Sequence, residues 1–199
     1  KEAHRKKFLE RQKQVTGWCP RCESPLAPGE ITYKPTEGHS VYFKIPIKGK
    51  RDEYIIVWTT TPWTFAGCLA IAVNPDLTYA RVAVRQGGKK STVIVLENRV
   101  EEIAAASGID AYEIIDTVQG KSLEKLGFFH PLMADIQFHK NTEGDWCHKI
   151  IALDSVHDSH TGCVYISPGL GIADSEIGEK YSLPLFSPID ERGVFTTEV

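Results

Sequence analysis

Tyr54-Ile55-Ile56-Val57-Trp58-Thr59-Thr60-Thr61-Pro62-Trp63-Thr64 is the stretch on which the reading of this chain turns. Its first five residues are apolar or aromatic, and the run reads as a buried strand. The strand then stops in three threonines and a proline. Pro62 has no amide proton to give a ladder, and its ring biases Thr61 toward extended backbone. Three hydroxyls and several N–H groups therefore collect at the mouth of a strand, beside the indoles of Trp58 and Trp63. That is a small polar pocket with an aromatic wall, suited to a hydroxyl-bearing or ester substrate.

Around this strand the patterning is mostly β. Val41–Ile45, Asp52–Trp58, Cys68–Val73, Tyr112–Val118, Trp146–Leu153 and Cys163–Ile166 read as strands, and Tyr79–Val84 with Thr92–Leu96 as a hairpin turning at Gly87-Gly88. Helices are expected over residues 1–14, over Arg99–Ala106 with a stop at Gly108, and over Ala173–Tyr181 with a stop at Pro184. Many short strands with few helices imply a mostly β fold, with a barrel-like core and peripheral helices. There is no internal repeat.

Two further motifs stand apart from the threonine stretch. Gly162-Cys163-Val164-Tyr165-Ile166-Ser167-Pro168-Gly169-Leu170-Gly171 leads to Asp174, then to Gly178-Glu179-Lys180-Tyr181-Ser182-Leu183-Pro184, and ends near Ile189-Asp190-Glu191-Arg192-Gly193. Upstream lies Trp18-Cys19-Pro20-Arg21-Cys22, whose C-x-x-C spacing is that of zinc ligands. No second such pair exists, so Cys19 and Cys22 make half of a tetrahedral site. The thioredoxin-like βαβ context of a redox pair is absent.

With Leu69-Ala70-Ile71-Ala72-Val73-Asn74-Pro75 after it, the threonine peptide resembles that of the editing domain inserted in class I isoleucyl-tRNA synthetases. The valyl and leucyl branches carry Thr-Thr-Arg-Pro, so Thr60-Thr61-Pro62 is similar to the isoleucyl branch. The downstream motif resembles the same domain's glycine-valine-histidine strand, Ala-Pro-Gly loop, fixed aspartate and Lys-Tyr-Gly-Leu-Pro helix end. The cysteine pair resembles the one preceding the insertion. The three matches span nearly the whole chain and imply residues 1–30 as a connecting helix and half zinc knuckle, with the editing domain, a β-barrel ringed by helices, over 31–199.

Bulk properties fit a soluble domain. The 199 residues are 42% hydrophobic and 25% charged, with a net charge of −3 that gives no global attraction to nucleic acid. RNA contacts then fall to local basic patches: the stretch from Lys1 to Lys13, which also reads as a solvated helix face, and Lys48, Lys50 and Arg51 beside Gly49 in a hairpin turn. No apolar run approaches a membrane span and no signal peptide is visible. Five cysteines without a secretory signal point to a reducing, cytoplasmic setting. A chain opening on Lys1 is expected to be a piece of something longer.

The activity the resemblance implies is hydrolysis of the ester of mischarged Val-tRNA(Ile). One methylene separates valine from isoleucine by only about 1–3 kcal/mol, so a synthetase needs a second pocket that destroys the smaller product. Asp174 would hold the α-ammonium through a charge-assisted bond; as a residue early in a helix it also reads as a plain cap. Thr59, Thr60 and Thr61 would hold the terminal ribose and orient a water, against the plainer reading of a threonine run as β propensity. No histidine lies in either motif, so no general base is evident, and by resemblance the reaction leans on positioning and the substrate's own ribose hydroxyl. Trp63, Thr64, Cys68, Tyr165, Gly169 and Gly171 would line the substrate. Tyr165 stands where the family has histidine and Cys68 where it has asparagine, which implies a pocket of different size and polarity. His157 and His160, beside Asp154 and Asp158, could imitate a metal site but read as a polar loop.

The partners implied are the 3′ end of isoleucine tRNA, the valyl group, and the remainder of a parent synthetase that would bind ATP. Editing would need no cofactor, and zinc would belong to the full-length parent. Two other readings stay open: a non-catalytic tRNA-binding module with a degenerate pocket, and an unrelated zinc-knuckle protein.

Overall fold

The computed structural model describes every residue except Glu10 and Gln12. Among the described residues ten strands form: β1 (Trp18–Cys19), β2 (Ser24–Pro25), β3 (Val41–Pro46), β4 (Glu53–Thr59), β5 (Ala70–Val73), β6 (Thr78–Gln86), β7 (Lys89–Leu96), β8 (Ala111–Gln119), β9 (Lys149–Ala152) and β10 (Cys163–Ile166). The helices are short: α1 (Glu2–Arg5), α2 (Val100–Ala106), α3 (Gln137–Asn141) and α4 (Ile172–Lys180).

β3, β4, β7, β6 and β8 form one sheet in that order, antiparallel except for the parallel pair β4–β7. β10, β5 and β9 form a second, with β5–β9 parallel. The interior strand β4 is buried on both faces, as its unbroken run of Ile55, Ile56 and Val57 requires. The two sheets share one core: Ile45, Ile55, Val57 and Ile94 of the larger pack with Ile71, Ile150, Cys163 and Tyr165 of the smaller. α2 covers the other face of the large sheet with Val100 and Ile103, against Val82, Val93 and Val95. On the far side of the small sheet, Ile177 of α4 joins Phe138 and Trp146 around Ala70, Ala72 and Ile151.

The mostly β architecture agrees with the sequence, but the barrel does not appear. Among the described residues the strands make two open sheets and the small β1–β2 pair rather than a closed ring. The strands Val41–Pro46, Glu53–Thr59 and Cys163–Ile166 fall where apolar runs place them. The helix expected over 1–14 does not form as such. It has one turn, Glu2–Arg5, with no buried residue, and Lys7 sits at φ +56°; a short helix with no apolar face to dock is unstable in water. Part of that expectation falls on Glu10 and Gln12, outside the described residues. The strand expected from Trp146 begins only at Lys149, because His148 takes a positive φ of 54° and breaks the extended run. α2 ends as read: Gly108 takes φ +62°, and the Ile109 amide returns to the Ala104 carbonyl.

Candidate functional site

β4 delivers the threonine peptide to the end of the large sheet. After Thr59 the backbone leaves the strand, and Pro62–Gly67 turn as a 3-10 helix with Pro62 in its first turn, where a missing amide proton matters least. β10 comes alongside and brings Tyr165. Its phenol meets the Thr59 hydroxyl at 2.8 Å and the Thr64 hydroxyl at 2.7 Å. The Thr61 amide donates to Thr59 Oγ1 at 3.0 Å, and Thr64 Oγ1 donates to the Thr61 carbonyl at 2.8 Å. One proton assignment satisfies the set: Thr61 N–H to Thr59, Thr59 to Tyr165, Tyr165 to Thr64, Thr64 back to the Thr61 carbonyl. The ring closes on Thr61, so the three threonine-segment residues and the tyrosine are mutually fixed. A phenol bound this way is turned into the peptide instead of standing free in the pocket.

Thr60 is exposed, and its hydroxyl has no protein partner among the described residues. It lines a cleft of about 490 Å³ together with Thr59, Thr61, Thr64 and Tyr165. Asp174 and Gly171 form another part of the lining. Asp174 sits in the first turn of α4, yet it does not cap its own helix; its Oδ2 accepts the Ser167 amide at 2.9 Å, tying the glycine-rich loop to the helix. Among the described residues no cation pairs with it, and partial burial pushes its carboxyl above the usual range despite the Ser167 bond. A half-buried carboxylate without a counter-ion is poised to take up a cation.

The other expected contacts divide. Trp63 is half exposed and lies outside the cleft; Trp58 supplies the aromatic wall instead, stacked on His160 at 3.6 Å between ring centroids. Cys68 is fully buried, its thiol directed at the Ala70 carbonyl, and does not reach the cleft. Burial pushes that thiol far up, with Asp174 acting in the same direction. Gly169 is explained by packing, since a Cβ there would overlap the Phe186 carbonyl. His157 and His160 belong to the cleft wall, and Asp158 accepts from Asn98 at 2.8 Å.

Cys19 and Cys22 occupy the β1–β2 knuckle, where the Cys22 amide donates to Cys19 Sγ at 3.4 Å. That amide lowers the Cys19 thiol below its usual range. The arrangement suits two zinc thiolates, but among the described residues no group of three or more His, Cys, Asp or Glu side chains could hold a metal ion. No helix among them is long and apolar enough to cross a membrane.

One constellation escaped the sequence. His130, His139 and His148 lie in segments with no common motif, yet converge behind the Pro62–Gly67 turn with 2%, 2% and 3% exposure. Their equal spacing matches the repeat of neither a helix face nor a strand face, so only the tertiary fold reveals the group.

No family model matches the chain. An isoleucine–tRNA ligase of Methanothermobacter marburgensis is 45% identical over 199 residues, 100% of this chain and 18% of that protein. One of Archaeoglobus fulgidus is 40% identical over 198 residues, 100% of this chain and 19% of that protein. The chain thus spans about a fifth of the length of the curated relatives it matches. Among solved structures, the editing domain of the P. knowlesi cytosolic leucyl-tRNA synthetase superposes with a TM-score of 0.54, over 76% of this chain and 67% of that one at 13% identity. The corresponding P. falciparum domain gives 0.50 over 65% and 47% at 16% identity. Identities that low speak for the fold alone. From end to end the chain is a homologue of one segment of the isoleucine–tRNA ligases, and it carries the fold of synthetase editing domains.

Proposed function

We propose that the cleft hydrolyses the ester of Val-tRNA made in error on isoleucine tRNA. The observation that carries this reading is Asp174, half-buried, without a counter-ion, in the same cleft as the threonine peptide. Its carboxylate would take the α-ammonium of the aminoacyl group. Thr60, whose hydroxyl is unengaged, and the Thr61 backbone would hold the terminal ribose, with Trp58 and His160 as the apolar flank. A water adds to the ester carbonyl, the bond to the ribose oxygen breaks, and that oxygen leaves with a proton, giving valine and free tRNA. No dedicated base is required: rate comes from orientation and from the neighbouring ribose hydroxyl.

The tRNA acceptor end and the remainder of a synthetase are the partners this reading requires, and a cytoplasmic setting goes with it. Zinc belongs to the same proposal: Cys19 and Cys22 supply two thiolates, and a parent protein supplies the rest. Elemental analysis of the chain alone should find well under one zinc per molecule; a stoichiometric amount would show ligands beyond these two.

The test is deacylation of Val-tRNA(Ile) by wild type and Asp174→Ala. Loss of a charge-assisted bond of about 1.5–3 kcal/mol should slow deacylation about ten- to a hundredfold. An unchanged rate in the variant refutes the role of Asp174. A wild-type chain that binds tRNA but releases no valine would favour the non-catalytic module.

A further inference from the structure

The three buried histidines bond to the backbone of the segment that carries the threonine ring. His139 Nε2 donates to the Ala66 carbonyl at 2.8 Å, and His130 Nε2 donates to the Phe65 carbonyl at 3.0 Å. Carbonyls cannot donate, so both rings are Nε2–H tautomers. The other nitrogens then accept: His130 Nδ1 takes the Leu132 amide at 3.1 Å, and His139 Nδ1 takes His148 Nε2–H at 3.1 Å. The rings of His130 and His139 stack at 3.9 Å, and His130 stacks on Phe65 at 4.8 Å. With these bonds made, the trio offers no common point for a metal, in line with the absence of any metal-holding group among the described residues.

Packing alone does not account for the trio. Leucine or phenylalanine would fill the space without desolvating six ring nitrogens, a loss that only directional bonds offset. The bonds go to consecutive carbonyls, Phe65 and Ala66, one residue beyond Thr64. Thr64 in turn fixes the Tyr165 phenol and the Thr61 carbonyl. Phe65 also lays its ring edge-on to Tyr165 at 5.4 Å.

We infer that His130 and His139 are positioning residues for the cleft: they clamp the Phe65 and Ala66 carbonyls and so hold Thr61, Thr64 and Tyr165 in register, while His148 steadies the His139 ring by donating to its Nδ1. The inference rests on the editing reading for its effect on rate, but its structural half stands without it.

The experiment compares His139→Gln, which keeps a donor where Nε2 stood, with His139→Leu, which has none. Two readouts are taken on the folded proteins: hydrogen exchange at the Thr64 and Cys68 amides, both bonded within the clamped turn, and kcat and KM for Val-tRNA(Ile). Loss of one buried bond should open the turn about tenfold more often, so exchange of those amides should rise about tenfold in His139→Leu. Its kcat should fall by about the same factor with KM within about twofold, since binding groups remain while their register is lost. His139→Gln should restore both to within about twofold. Wild-type exchange and kcat in a folded His139→Leu protein would overturn the inference, as would equal losses in both variants. If His139→Leu does not fold, His130→Leu takes its place with His130→Gln as its control: it removes the bond to the Phe65 carbonyl, and unchanged exchange there overturns the inference. A wild-type chain without deacylase activity would refute the proposed function only, leaving the exchange measurement to decide the clamp.

Discussion

At the scale of single residues, function and stability pull apart at Asp174. Its carboxyl is raised chiefly by burial, so the folded chain holds a proton there that the unfolded chain gives up, and stability falls as pH rises through and above the usual carboxylate range. At neutral pH the charge therefore costs stability until a cation arrives. Asp174→Asn keeps an oxygen for the Ser167 amide and removes the charge. It should raise the thermal midpoint at pH 7 while deacylation falls, and the gain should shrink as pH is lowered toward the usual carboxylate range. A lowered midpoint at pH 7 would show that the carboxylate has a stabilising partner. Tyr165 behaves oppositely. Tyr165→Phe leaves Thr59 and Thr64 without their shared partner, and urea titration should show a loss of about 1–2 kcal/mol; no loss would dissolve the threonine–tyrosine ring as a structural unit.

At the scale of elements, the chain announces its strands and hides their pairing. Ile55-Ile56-Val57 marks a doubly buried strand because apolar residues on both faces leave no other arrangement. The Gly87-Gly88 hairpin is legible because both glycines take positive φ, 54° and 78°, which the turn demands. The parallel pairs β4–β7 and β5–β9 are not legible, since nothing local records which distant strand lies alongside. The place of Asp174 in the first turn of a helix is legible because a glycine-rich loop entering a helix is a local signal. Gly169 and Cys68 are set by packing, and close backbone approach and a small buried thiol leave the same residue types as ligand contact does. The histidine clamp left no trace, being built from three separate segments. One cross-strand device was equally invisible: Arg81 on β6 bonds Glu53 of β4 and Asp116 of β8, each at 2.9 Å, with Glu53 only 8% exposed. Arg81→Ala should cost about 1–3 kcal/mol by leaving Glu53 buried and unpaired, and adding Glu53→Gln should recover part of it. Strict additivity of the two changes would show that the pair is not coupled.

At the scale of the whole molecule, the histidine trio sets an acid limit. Burial holds His130 down to about 3 and His148 to about 4, with His139 also lowered. The unfolded chain takes up these protons near the ordinary histidine value of about 6.5 and the folded chain does not, so stability is full above that value and declines as pH falls toward about 4. Thermal midpoints measured from pH 7.5 down to 4.5 should fall steadily, and His148→Leu should flatten the slope; a level profile in the wild type would contradict the burial of the trio. The parallel pairing of β5 with β9 has a further consequence, in time. The β6–β7 hairpin can close on neighbouring residues within about 1–10 μs, but β9 reaches β5 only after a long excursion of chain has been gathered in, and loop closure of that kind is slow. β10 is seated on β5. The small sheet, and Tyr165 with it, is therefore expected to complete later in refolding than the β6–β7 hairpin, so the mouth of the cleft should form after that hairpin does.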